Sequence, residues 1–219
     1  QTVDTPHTGT MRISRLEMLP MSLFESGESN GSVSLAELFD SPEEFNGCRS
    51  DLTMDGLINA ICRGGWPSAV NIEDTSISMN IARDLFVETY TRDVSKIDGT
   101  DRNPKLAEAL LKSYSHNICT EADTKTVMED VRATEPVSEK TFYEYVEALE
   151  KLFIIDDVDA WSPAIRSKTA IRTRKKKNLT DPSIAAAALG IGPKYFEKDF
   201  KTLGFLFESL CIRDMKIYS

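Results

Sequence analysis

Apolar residues recur along most of the chain at spacings of three and four, the signature of helices that bury one face. In "SLAELFD", Ser34 and Glu37 have the spacing of a helix N-cap and its partner, which predicts a short helix burying Leu35, Leu38 and Phe39. In "TMDGLINAICRGGWP", Leu57, Ile58, Ile61 and Cys62 form a helical face, Gly64 and Gly65 end it, and Trp66-Pro67 begins a turn. Residues 73–94 carry the longest periodic pattern, with Ile77, Ile81 and Leu85 on one row and Ala82, Phe86 and Tyr90 beside it. Gly99 and Pro104 in "DGTDRNP" interrupt it as a hinge.

Three more helical tracts follow, "PKLAEALLKSYSHNI", "TEADTKTVMEDV" and "VSEKTFYEYVEALEKLFII". The third has Ser138 as its N-cap and Phe142, Val146, Leu149, Leu152 and Phe153 as its core face. "LFIIDDVDAW", a Ser-Pro turn and "KTAIRTRKKKNLTDP" then read as two strands. Helix, helix, helix, strand, strand is the order of a winged helix, although a three-helix bundle with no nucleic-acid role can share it. "DPSIAAAALGI" predicts another helix, stopped at Gly190 and Gly192, and "KTLGFLFESLCIRDMKIYS" a last one with apolar positions at Phe205, Leu206 or Phe207, Leu210 and Met215.

Composition is that of a folded chain: 219 residues, 41% hydrophobic and 28% charged, enough for one or two domains. The opening "QTVDTPHTGT" has neither the basic start nor the apolar run of a signal peptide and lacks an initiating Met, which suggests a processed or trimmed chain. No run of 18 apolar residues predicts a membrane span, so the expectation is a soluble, cytoplasmic protein. Cys48, Cys62, Cys119 and Cys211 are scattered without C-x-x-C spacing and with only His7 and His116 for company, which argues for reduced thiols and against a zinc site.

The formal charge of −9 excludes a protein that coats nucleic acid over its whole surface, but it leaves room for a local basic patch. Such a patch exists at Arg166, Lys168, Arg172, Arg174, Lys175, Lys176 and Lys177, where a wing could contact phosphates. The helix before it carries Glu139, Lys140, Glu144, Glu147 and Glu150, a poor face for a DNA groove, and an edge strand protected by lysines accounts for the same residues. Phosphate-loop, nucleophile-elbow and metalloprotease motifs are all missing. "GIGPKYF" is a helix stop, not a phosphate loop.

Several tracts together carry a family resemblance. "MRISRLEMLPMSLFESGESNGSVSLAELF", "LINAICRGGWPSAV", "LFVETYTRDVSKIDG", "FYEYVEALEKLFIIDDVDAWSP", and "LTDPSIAAAALG" with "GFLFESLCIRDMKIY" resemble, in order, the prokaryotic AAA-type ATPases that carry the C-terminal domain of unknown function 4143. "LPMSLFE", "RGGWP" and the "DPS…GFLFESL" pair are the most specific pieces.

The resemblance implies a mainly α fold with minor β: residues 1–40 as the trailing piece of a P-loop ATPase domain, 41–102 as a helical connector, 103–177 as a winged-helix domain, and 178–219 as the start of a restriction-endonuclease-like α/β domain. It implies ATP and Mg2+ for the full-length parent and no catalysis by this chain alone. Arg12 or Arg15 would face the nucleotide, and Glu208 would match the helix acid of the nuclease-like fold, one carboxylate that does not by itself make a metal site. Arg172, Arg174, Lys175, Lys176 and Lys177 would meet nucleic acid. The alternative is a module for protein interaction or homo-oligomer formation, away from membranes.

Overall fold

The computed structural model of the protein describes residues 17–161 and 173–219. The described chain is mainly helical. Helices α1 (Leu35–Asp40), α2 (Met54–Arg63), α3 (Pro67–Val70), α4 (Thr75–Glu88), α5 (Val94–Lys96), α6 (Pro104–His116), α7 (Thr124–Arg132) and α8 (Glu139–Lys151) precede the pairing segments, and α9 (Pro182–Leu189), α10 (Pro193–Phe196) and α11 (Phe200–Tyr218) follow them.

Most starts are chemically marked. The side chains of Thr53, Asp74, Asn103, Asp123, Ser138, Asp181 and Asp199 accept backbone N–H bonds in the first turns of α2, α4, α6, α7, α8, α9 and α11. Pro104 and Pro182 each open a helix where the missing N–H has no intrahelical partner to lose.

One hydrophobic cluster runs from Ile58 to Leu210, with Phe142, Phe196, Ile61, Leu110, Leu111, Leu149 and Leu206 among its fully buried side chains. Helix α9 lies at its centre, packed against α2, α4, α6 and α11. Its sequence, PSIAAAAL, suits that place: small side chains let several helices approach it closely, and most of its residues are buried.

Between α4 and α5 the backbone widens into a π turn at Thr89–Asp93. Thr89 and Thr91 donate their hydroxyls back to Leu85 O at 2.7 Å and Val87 O at 2.6 Å, the local competition that loosens a helical ladder. The residues following α8 pair with those preceding α9 through two antiparallel bridges, Ile155 with Leu179 and Val158 with Lys176. On the far side of that second segment, Cys119 N donates to Lys177 O at 2.7 Å and Lys177 N to Thr120 O at 2.8 Å. Three short segments therefore lie side by side, in the order 155–158, 176–179 and 119–120.

Several expected faces are revised. Helix α1 forms with its Ser34 cap, but it buries nothing: Leu38 is 39% and Phe39 82% exposed, because α1 packs mainly on its neighbouring turn. In α4 the buried row is Ala82 and Phe86, while Ile77 points outward. Phe153 is 62% exposed, since α8 ends at Lys151 and Phe153 takes a left-handed turn (φ 56°) that aims Ile154 and Ile155 inward instead. In α11 the buried positions are Leu203, Leu206 and Leu210, which leaves Phe207 and Met215 exposed.

Candidate functional site: a buried ionic clamp

"LPMSLFE", "RGGWP", "TDPS" and "IRDM" meet at one buried polar centre. Asp181, the N-cap of α9, is fully buried and accepts three hydrogen bonds: from Ser183 N at 2.9 Å, from Gly65 N at 3.0 Å and from Arg213 Nη1 at 2.8 Å. Arg213, on α11, spans to the other side. Its Nε and Nη2 donate to Asp214 Oδ1 at 2.9 and 2.7 Å, and Asp214 Oδ2 accepts from Leu23 N at 3.0 Å. Burial opposes the charge of Arg213, but the two flanking carboxylates outweigh it and hold its pKa above the ordinary guanidinium value.

The glycines of "RGGWP" make the approach possible. A side chain at Gly65 would overlap the Met21 backbone carbonyl and come within 3.0 Å of Arg213 Nη1. In return, Met21 N donates to Gly65 O at 2.7 Å. Gly64 has φ +78°, and a side chain there would press on Ser183, on Asp181 and, at 2.7 Å, on Trp66 Nε1. Trp66 Nε1 itself donates to Ser183 Oγ at 2.9 Å. Beyond the centre, Arg63 pairs with Glu28 at 2.8 Å, closing the turn that begins at Ser22. Within that turn, Glu25 accepts from Ser22 N and Oγ, which holds its carboxyl below the usual range.

Asp181, Arg213 and Asp214 sum to one net negative charge in a site from which water is largely excluded. That arrangement is stable only while every partner stays in place. It joins residues 20–28 to α2, α9 and α11 and carries no exposed nucleophile or acid. Its chemistry is that of a fastener.

The basic run has a different fate from the one its composition suggests. Arg174 pairs with Asp123 at 3.0 Å, Lys175 with Asp159 at 2.9 Å, Lys176 with Glu208 and Lys177 with Asp157 at 2.6 Å. Lys177 is 6% exposed and lies 5.2 Å from the centroid of the Tyr114 ring. Donating hydrogen bonds to Asp159 and Glu208 raises the pKa of Lys175 and Lys176. In the register of the two bridges, Asp157 faces Lys177 and Asp159 faces Lys175, so opposite charges pair directly across the ladder. Asp156 is taken as well, by Lys216 of α11 at 2.5 Å.

Glu208 is thus the counterion of Lys176. Among the described residues no group of three or more His, Cys, Asp or Glu side chains could hold a metal ion. Arg12, Arg15, Arg166, Lys168 and Arg172 lie outside the described residues. All four cysteines are free; burial pushes the thiols of Cys62 and Cys119 up to about 12, while Cys48 is exposed. His116 sits in the last turn of α6. No helix among the described residues is long and apolar enough to cross a membrane.

No sequence pattern singles out the clamp. Its signal was present only as two acids and an arginine, "TDPS" and "IRDM", in tracts otherwise apolar enough to be buried.

The described residues form a mainly helical body fastened by a buried ionic clamp. Residues 54–195 match the family model described as Domain of unknown function (DUF8612), and the chain belongs to that family. No curated protein and no solved structure matches it.

Proposed function

We propose that this chain is a non-catalytic helical module of an AAA-type ATP-binding protein, and that its working surface engages protein. The AAA-type reading rests on the order of the resembling tracts. It gains support from their convergence: "LPMSLFE", "RGGWP", "TDPS" and the end of α11 all supply atoms to one clamp. A clamp of that kind would fasten the trailing edge of an ATPase domain to the helical body. The protein-binding reading rests on a single observation. Every cation from Arg174 to Lys177 is held by a carboxylate of the chain, and Lys177 is buried. Phosphates would have to displace those carboxylates one by one.

A second reading, a winged helix that binds nucleic acid, is favoured by the three side-by-side segments that follow and flank α6, α7 and α8, and by Arg174 and Lys175, whose side chains are 62% and 59% exposed. Exposed ion pairs are weak enough to be exchanged. Fluorescence anisotropy with duplex DNA at two salt concentrations separates the readings. Protein engagement predicts no salt-dependent binding. Binding that weakens with salt and is lost when Arg174 and Lys175 become Ala would establish the nucleic-acid reading in its place.

A further inference from the structure

Helix α11 turns two faces to two different environments. One buries Leu203, Leu206, Ser209, Leu210 and Arg213 in the core and clamp. The other is a stripe of Phe200, Gly204, Phe207, Cys211, Met215 and Tyr218, spaced four, three, four, four and three residues apart. At 3.6 residues per turn these six positions fall within an arc of about 80° that contains no charged side chain. Phe200 is 69%, Phe207 43%, Met215 49% and Tyr218 42% exposed. Four large apolar side chains turned to water on one helix are unusual among singly scattered surface hydrophobics and mark an interaction surface.

We infer that this stripe is the seam of an antiparallel dimer with a second copy of the chain. The inference rests on the protein-binding reading above and names the partner. Three observations carry it. The stripe is nearly its own mirror image about Ser209: reversed against itself, it sets Phe200 against the partner copy's Tyr218, Phe207 against its Cys211, and Gly204 against its Met215. Large side chains thus meet small ones at the inner positions and aromatics meet at the ends, as knobs and holes require. Secondly, the carboxylates that flank the stripe are already paired within the chain, Glu208 with Lys176 and Asp214 with Arg213, so closing the seam strands neither.

Thirdly, the stripe continues. At its far end Tyr218 shares a cleft with Phe24, Val33 and Leu35, and Phe24 and Val33 are 57% and 47% exposed. With the large side chains of the stripe these offer roughly 600 Å² of apolar surface per copy, taking about 200 Å² for each large side chain. Specific interfaces need about 800 Å² per partner, which the polar rim would supply. Such an interface gives a concentration-dependent dimer.

The test is sedimentation velocity of the 219-residue chain across two decades of micromolar concentration. Wild type should shift from monomer to dimer, and Phe207→Glu should weaken association by about tenfold or more while keeping the wild-type circular dichroism and melting curve. A short bismaleimide applied to a Cys48→Ser variant should give a cross-linked dimer through Cys211, which lies beside the dyad, and none once Cys211→Ser is added. A wild type that stays monomeric throughout, or a dimer indifferent to Phe207→Glu that does not cross-link through Cys211, overturns the seam. Salt-dependent DNA binding would instead overturn the reading on which it rests, so the two failures are told apart.

Discussion

Arg213 and Asp181 lie 32 residues apart in sequence and 2.8 Å apart in space, and neither side chain is more than 2% exposed. Removing the cation leaves Asp181 with one hydrogen bond fewer and Asp214 with two fewer, both buried and with no charge to oppose them. Arg213→Met, close in volume but neutral, should cost about 3–5 kcal/mol of stability by urea titration. Asp181→Asn keeps the shape and some of the hydrogen bonds, so its loss should be smaller. If Arg213→Met melts like wild type, the clamp does not hold the fold.

Gly65 tests the same joint from the other side. Gly65→Ala forces a methyl group onto the Met21 carbonyl, so either the turn at residues 20–28 lifts off or α2 shifts. Overpacking of this kind typically costs about 1–3 kcal/mol. The more specific expectation is local: residues 20–28 should become sensitive to limited proteolysis while α6 to α8 stay protected from amide exchange. Uniform loss of protection would mean that the turn and the helical body are one cooperative unit.

Lys175 and Lys177 are two residues apart on one segment and should behave oppositely. Lys177 is buried between Asp157 and Tyr114, so Lys177→Met strands a carboxylate of which only 9% is exposed and should cost about 3 kcal/mol or more. Lys175→Met breaks a pair whose side chains are 59% and 79% exposed and should cost at most about 1 kcal/mol. Thermal melts of the two variants check the contrast. Equal losses would show that burial does not set the worth of these pairs.

Acid should act through Asp98. Its carboxylate takes two 2.7 Å hydrogen bonds from Arg102 and one of 3.0 Å from Thr100 N, and these hold its pKa well below the usual carboxylate range. A carboxyl depressed on folding stabilises the native state above its unfolded pKa of about 3.9 and loses that contribution as pH falls further, towards the folded value. Glu25 is shifted in the same direction by Ser22. Melting temperature should therefore fall below about pH 4. Asp98→Asn should flatten that acid limb and lower the neutral plateau; an unchanged limb would assign the acid response to other groups.

Helices were legible in the sequence because local chemistry marks them: a Ser, Thr, Asn or Asp cap, often a Pro, then apolar residues every three or four positions. What was not legible depended on distant partners. Periodicity alone gives two candidate rows in α4 and cannot say that Ala82 and Phe86, not Ile77, are buried. The basic run read as a free patch because its counterions lie on other tracts. One sign of them was visible in retrospect, since the alternation of Asp157 and Asp159 matches that of Lys175 and Lys177 when the two segments are laid antiparallel. The clamp left no periodic trace, because its carboxylates and its arginine come from separate tracts that only the folded chain brings together.

Phe153 offers the opposite kind of test, a substitution expected to help. It adopts φ 56° on a side chain that is 62% exposed, a conformation that costs a non-glycine L-residue roughly 1–2 kcal/mol. The backbone there is fixed by its neighbours: Phe153 N donates to Glu150 O at 2.9 Å, and the Thr180 hydroxyl donates to Phe153 O. Asn tolerates the left-handed region, and these backbone bonds survive the change. Phe153→Asn should therefore be neutral or stabilising by up to about 1 kcal/mol in urea titration, despite the loss of an aromatic ring. A clear destabilisation would mean that the part of the ring still covered contributes more packing energy than the turn stores as strain.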